Sequence, residues 1–326
     1  MTRTVKWLWT TVFIAMVVSI VFVWFNRFTI FDAYVLRSYT PSPEIVQLAK
    51  DSGMNETGAE IFYSHVPKIT EQAEFNSVCT SSEATIVLGC YTGFDFNKDT
   101  DIYIYNVQKP ELAGIKEVTA SHEMLHAAYD RLSPKQRQQV DEMTATMVTK
   151  INNPRILQLI KGYQDKDPSV VPNEMHSILG TEVASLDPQL EQYYRTYFSD
   201  RQKVVALSES YEAVFDTAKS DTQRINGDLA LRKSEISQQE AQIGEDEAAL
   251  LETKRQLEAY RSQKKFAEYN ALVPSYNQQV EAYNQKISSL KQLIAEYNKL
   301  VQEYNSTVDR QQDLVNSIDS KYQYYE

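Results

Sequence analysis

The chain has only four histidines, and two of them, His122 and His126, stand four residues apart with Glu123 next to the first. On a helix that spacing places both imidazoles on one face, one turn from each other. Two imidazoles so placed can bind one tetrahedral zinc ion. Glu123 would then lie beside the metal rather than on it. There a carboxylate acts as general base on a zinc-bound water whose pKa the metal has lowered towards neutrality. A catalytic zinc needs a third protein ligand and one open position.

The residues around the pair sharpen the reading. Positions 118–128 run Val-Thr-Ala-Ser-His-Glu-Met-Leu-His-Ala-Ala. This stretch resembles the extended HExxH signature of the zincin metallopeptidases, whose flanking positions are uncharged. Thr119, Ala120, Ser121, Met124, Leu125, Ala127 and Ala128 all satisfy it. The resemblance implies zinc-dependent hydrolysis of peptide bonds in a protein or peptide substrate, with Glu123 as the catalytic base. It also implies that the strand expected at 101–107 forms the edge on which an extended substrate lies.

The third ligand is sought downstream, in Pro172–Glu182, which reads as a helix. It resembles the second metal helix of the gluzincin branch, where Asn-Glu opens the helix and the Glu binds zinc; that implies Glu174. Ser177 and Gly180 fit the continuation, but Ile178 stands where the branch has an Asp supporting a ligand histidine. The support must then come from elsewhere. The helical wheel points differently. Met175, Ile178, Leu179 and Leu186 make an apolar face with Glu182 in its middle, and a carboxylate there needs a strong partner such as a metal or a hydrogen bond from the metal helix. Glu174 and Glu182 both stand as candidates, with His176 a third. His176 faces away from that stripe, towards substrate or the surface, and His65 reads as structural.

Several elements must position these residues. Ala84–Leu88 and Asp101–Val107 are rich in β-branched and aromatic residues and read as strands. Ile102 and Ile104 alternate with Tyr103 and Tyr105, as in a half-buried strand. Cys79 and Cys90, the only cysteines, suit a disulfide in an oxidising compartment. Ser133-Pro134 with Gln136 predicts a capping-box helix start, Pro154 starts another helix, and Asp187-Pro188 opens a long helix running past residue 200.

Beyond the site the chain changes character. Trp7–Phe25 carries no charge and, as a helix, would span about 28 Å, close to a bilayer core. All three tryptophans lie at its ends, where indoles favour the headgroup region. Val23–Asn26 lacks the small residues of a signal-peptidase site, so a retained anchor is expected. Arg3 and Lys6 put the N-terminus in the cytoplasm and the remainder outside. Nine of the ten prolines lie at or before Pro188. After residue 200, Leu229, Ile236, Ile243, Leu250 and Leu257 recur every seven residues. So do Val273, Val280, Ile287, Ile294, Val301, Val308 and Val315. These heptads predict an antiparallel coiled-coil hairpin with its tip near 262–274, able to pair with itself or with a protein partner. A net charge of −11 argues against nucleic-acid binding.

The expectation is a predominantly helical α+β chain in five parts. A cytoplasmic tail (1–6) leads into a single membrane span (7–25) and a linker (26–42). A small zincin-like domain (43–200) follows, with a short sheet, and then the coiled-coil hairpin (201–326). The function expected is that of a single-pass, extracytoplasmic zinc (Zn2+) metallopeptidase. The alternative is a non-catalytic envelope scaffold that uses the coiled coil and keeps a structural or vestigial zinc site.

Overall fold

A computed structural model describes residues 3–80, 86–93 and 102–322. It is predominantly helical with one small sheet. In chain order the elements are α1 (Arg3–Phe25), α2 (Arg27–Ser38), α3 (Pro43–Asp51), α4 (Glu56–Ser64), β1 (Lys68–Thr70), α5 (Gln72–Val78), β2 (Gly89–Tyr91), β3 (Ile102–Tyr105), α6 (Ile115–Asp130), α7 (Pro134–Val148), α8 (Pro154–Lys166), α9 (Val171–Glu182), α10 (Pro188–Tyr194), α11 (Arg201–Ser262) and α12 (Phe266–Ile318). They form two compact units, Met1–Val214 with Val315–Glu326, and Phe215–Leu314.

In the first unit α6 is the central helix. Eleven of its sixteen residues are buried, and α9, α4, α3 and the sheet all pack on it. Its start is set by Gly114, whose φ of 100° is a left-handed conformation open to glycine at little cost. The helix starts expected at Ser133 and Pro154 are present. Ser133 and Gln136 make the capping box, and Asn153 caps α8.

The sheet has the order β1-β3-β2, with β1 parallel and β2 antiparallel to β3. Expectation and structure part here. The strand expected at 84–88 appears instead at Gly89–Tyr91, and residues 81–85, 94–100 and Asp101 lie outside the described residues. Ile102–Tyr105 is the central strand and is buried at Ile102, Tyr103 and Ile104 rather than alternately. Both its faces are covered. The α6 helix packs against it, and the cluster of Phe75, Cys79 and Val87 encloses Tyr103. Cys79 and Cys90 are disulfide-bonded, tying the end of α5 to β2.

Three segment boundaries also differ. Residues 26–42 are not a plain linker, because they hold α2 and its contacts to α4. The helix opened by Pro188 ends at Tyr194, because Tyr197 and Phe198 turn into the core and Phe198 bridges to Met54. The first unit runs past residue 200 to Val214. Buried Arg201 pairs with Glu191 and donates to the carbonyls of Leu179, Val183 and Ala184, holding the start of α11 against the end of α9.

In the second unit α11 and α12 are joined at Gln263–Lys265. Pro274, expected at the tip, lies inside α12. Cross-helix contacts pair Arg224 with Glu303, Arg232 with Glu296, Asp246 with Lys286 and Thr253 with Gln279. Partners descend along α12 as they ascend along α11, so the helices run antiparallel. The valine-isoleucine heptad is not buried throughout, since Ile294 and Val308 are exposed while Leu293 and Leu314 are covered. A straight helix has 3.6 residues per turn, so a strict seven-residue stripe drifts off the contact line.

Among the described residues no single helix is long and apolar enough to cross a membrane. Trp9–Phe25 and Arg27–Ser38 meet that requirement only together, as a pair bent by 71°.

Candidate metal centre

His122 and His126 project from one face of α6, their rings 4.7 Å apart edge to face. Glu174, in the first turn of α9, reaches across to both. Its Oε2 lies 3.6 Å from His122 Nε2 and its Oε1 3.7 Å from His126 Nε2. The three donor atoms lie within 4.8 Å of one another, a grouping that could hold a metal ion. Ligand atoms about 2.0–2.1 Å from a tetrahedral zinc would sit about 3.4 Å from one another, close to these separations. Glu174 Oε2 is buried without a hydrogen-bond partner. An orphaned carboxylate oxygen is costly to bury, and a cation between the three side chains would satisfy it. The donor set and its spacing therefore fit zinc.

The support that Ile178 cannot give comes from α9 itself. Asn173 Oδ1 lies 3.0 Å from His126 Nδ1 and Ser177 Oγ 3.2 Å from the same nitrogen. A His126 Nδ1–H donating to Asn173 leaves Nε2 turned towards Glu174, the tautomer a metal ligand needs. The Tyr163 hydroxyl, from α8, donates to Glu174. Sequence reasoning did not select Asn173 or Tyr163. Asn173 was visible as the residue before Glu174, whereas nothing near Tyr163 pointed to the site.

Charge is arranged accordingly. Burial opposes a proton on His122, but the close approach of Glu174 and the charges of Glu123, Glu174 and Glu182 outweigh it and lift His122 to about 9. Burial and the charge on His122 push His126 down to about 4. Burial would raise Glu174, yet the close approach of His122 and the charge of both imidazoles hold it below the usual carboxylate range. The two imidazoles are thus pushed in opposite directions, His122 up and His126 down.

Glu123 is buried on the same helix, under β2. A Cβ on Gly89 would come within 2.5 Å of Thr119 Cγ2 and 2.7 Å of Glu123 Oε1. Only glycine lets β2 approach this closely. The strand bordering the site is therefore β2, at the edge of the sheet formed by the described residues. The segment 101–107, expected to fill that role, supplies β3, which is paired on both sides.

The remaining candidates lie elsewhere. Glu182 pairs with Arg155 at 2.5 Å, and Arg155 also meets Glu212 at 3.2 Å. The wheel argument correctly required a strong partner for Glu182, but the partner is a guanidinium. His176 is wholly buried, neither at the surface nor at a substrate face. Its Nε2 is 2.8 Å from Tyr193 Oη, among Tyr129, Tyr194 and Tyr197. Burial holds it neutral, at about 3. It was misplaced because α9 is covered by α6, α7 and α8 rather than along one stripe. His65 is buried beside Arg131, with Tyr91 against its ring, as suits a structural residue. No family model matches the chain, and no curated protein or solved structure matches it.

Proposed function

We propose that the chain is a membrane-anchored zinc metallopeptidase acting outside the cytoplasm, anchored by the apolar α1, the first limb of the bent α1–α2 pair, with α11–α12 as an antiparallel coiled-coil hairpin. The observation carrying this reading is the meeting of His122, His126 and Glu174 from two separate helices, with Glu123 adjoining His122 on α6 and its carboxylate under β2.

His122, His126 and Glu174 would hold the zinc, which supplies a Lewis acid and brings the pKa of water towards neutrality. Asn173 and Ser177 orient His126. Glu123 takes the proton from the attacking water on its carboxylate and returns it to the departing amine. The outer edge of β2 offers main-chain donors and acceptors to an extended peptide, which can add as a further strand. The disulfide fits an oxidising compartment. The apolar α1 ends in Trp24 and Phe25, followed by Arg27, as a membrane span does at its interface.

A scaffold with a purely structural zinc would need the three ligands and no base, so the buried Glu123 favours the enzyme. The test is hydrolysis of an unfolded protein by the zinc-loaded chain and by Glu123→Gln. The variant should keep its zinc and its melting temperature and lose at least about a hundredfold in rate. Equal rates would remove Glu123 from the chemistry.

A further inference from the structure

The helix after the proposed span is built into the same body as the metal helix. Arg131 caps the C-terminus of α6. Its guanidinium donates to Asp32 of α2 at 2.6 Å, to Ser64 at 3.1 Å, to His65 Nε2 at 2.9 Å and to the Ala127 carbonyl at 3.2 Å. It also lies over the Phe28 ring, and Phe31 stacks near His65. A largely buried guanidinium with this many partners holds α2 to α6 far more firmly than a surface ion pair does.

The bend between α1 and α2 is likewise held. Asn26 Nδ2 donates to the Phe22 carbonyl and Arg27 to that of Trp24, with the guanidinium over the Trp24 and Phe28 rings. With the apolar α1 inserted in a bilayer as its anchor, α2, turned by 71°, runs nearer the membrane plane. Its two faces agree with that placement. Phe28, Phe31, Asp32, Val35 and Leu36 are partly covered by the domain, whereas Ile30 and Tyr34, one turn apart, are exposed, with Arg37 beside them. An aliphatic, a tyrosine and an arginine on the outer face suit the headgroup region.

We infer that the substrates of this site are the membrane-proximal segments of proteins held in the same bilayer. This rests on the anchored, hydrolytic reading above. His122 precedes Arg131 by nine residues, about 14 Å along α6. A helix lying in the interface adds a diameter of about 10 Å. The site therefore lies no more than about 25 Å from the membrane, a distance that an extended chain of about 3.3 Å per residue covers in at most roughly eight residues. A bilayer-anchored substrate presents that stretch at high effective concentration. More distal stretches, and soluble chains, lack the advantage.

The test uses the full chain in liposomes with a substrate whose transmembrane helix carries a long unfolded segment, the cut positions being read by mass spectrometry. Cuts should fall within about ten residues of the membrane, at least about tenfold more often than beyond thirty. Asp32→Ala should broaden that window with zinc content unchanged. A parallel arm carries a photocrosslinker at successive substrate positions and uses zinc-loaded Glu123→Gln, which reads placement without turnover. Uniform cutting along the segment, or an unchanged window in Asp32→Ala, overturns the inference and leaves the hydrolytic reading intact. Membrane-proximal crosslinks with no cutting by the wild type overturn the hydrolytic reading and leave the placement. Uniform or absent crosslinking with no cutting overturns both.

Discussion

The α6–α9 pair and the α11–α12 pair are both contacts between two helices, and they are built in opposite ways. Where α9 crosses α6, Met124, Leu125, Ile178 and Leu179 are almost wholly buried. Gly180 sits so close that a Cβ there would meet Leu125 Cδ1 at 2.4 Å and Tyr194 Cε1 at 2.9 Å. Along α11, only one position per heptad is aliphatic, as at Leu229, Ile236, Ile243, Leu250 and Leu257. The other carries Arg232, Gln239, Asp246 and Thr253. That contact is held by several exposed or half-exposed polar pairs, each worth little alone. The first pair fixes a few atoms to within ångströms, which a metal site requires. The second spreads weak contacts over fifty or more residues in each helix, which gives length and a repeated surface.

The largest effect is expected at the metal. His122→Ala removes one of three ligands and should reduce bound zinc from about one per chain to none while α6 stays folded; zinc analysis with circular dichroism checks both. Undiminished zinc would place the metal elsewhere. Next comes Gly180→Ala. Helix propensity alone would favour the alanine by about 1 kcal/mol. Leu125 and Tyr194 are fully buried, however, and the Tyr194 hydroxyl donates to the His176 carbonyl. Overpacking should prevail, and thermal melting should show a net loss of about 1–3 kcal/mol. The smallest effect has the opposite sign. Gln239 Oε1 is buried in the α11–α12 seam without a partner. Gln239→Leu should therefore stabilise that unit by about 1–2 kcal/mol, read as a rise in its denaturation midpoint. A loss there would mean the seam is more tightly packed than its polar composition implies.

The same contrast decides what the sequence could show. His122, Glu123 and His126 lie within one helical turn, so their common face followed from spacing alone. Glu174 comes from another helix, and its choice over Glu182 needed a resemblance. Burial chemistry could not separate the two, because the partner of Glu182 is Arg155, 27 residues away. The burial of His176 depends on several helices at once, which a single helical wheel cannot represent. Nothing in the sequence singled out Gly89, whose constraint is the proximity of Glu123, a contact between distant segments. The heptads gave two long helices and their order, but not the drift that exposes Ile294 and Val308, since drift depends on how far the pair supercoils. Residues 26–42 looked like a linker because Asp32 is unremarkable until Arg131 is placed against it.

The central claim is that α6 and α9 together make one zinc site, and the comparison of Glu174→Ala with Glu182→Ala tests it most directly. Zinc affinity would be measured by competition with a chelator, with melting recorded beside it. The geometry predicts that Glu174→Ala weakens zinc by orders of magnitude, since a ligand is lost outright. Glu182→Ala leaves the Arg155 guanidinium without that partner, so it should lower the melting temperature and change zinc affinity by less than about tenfold. Wild-type zinc affinity in Glu174→Ala, with zinc lost from a folded Glu182→Ala, would contradict the account.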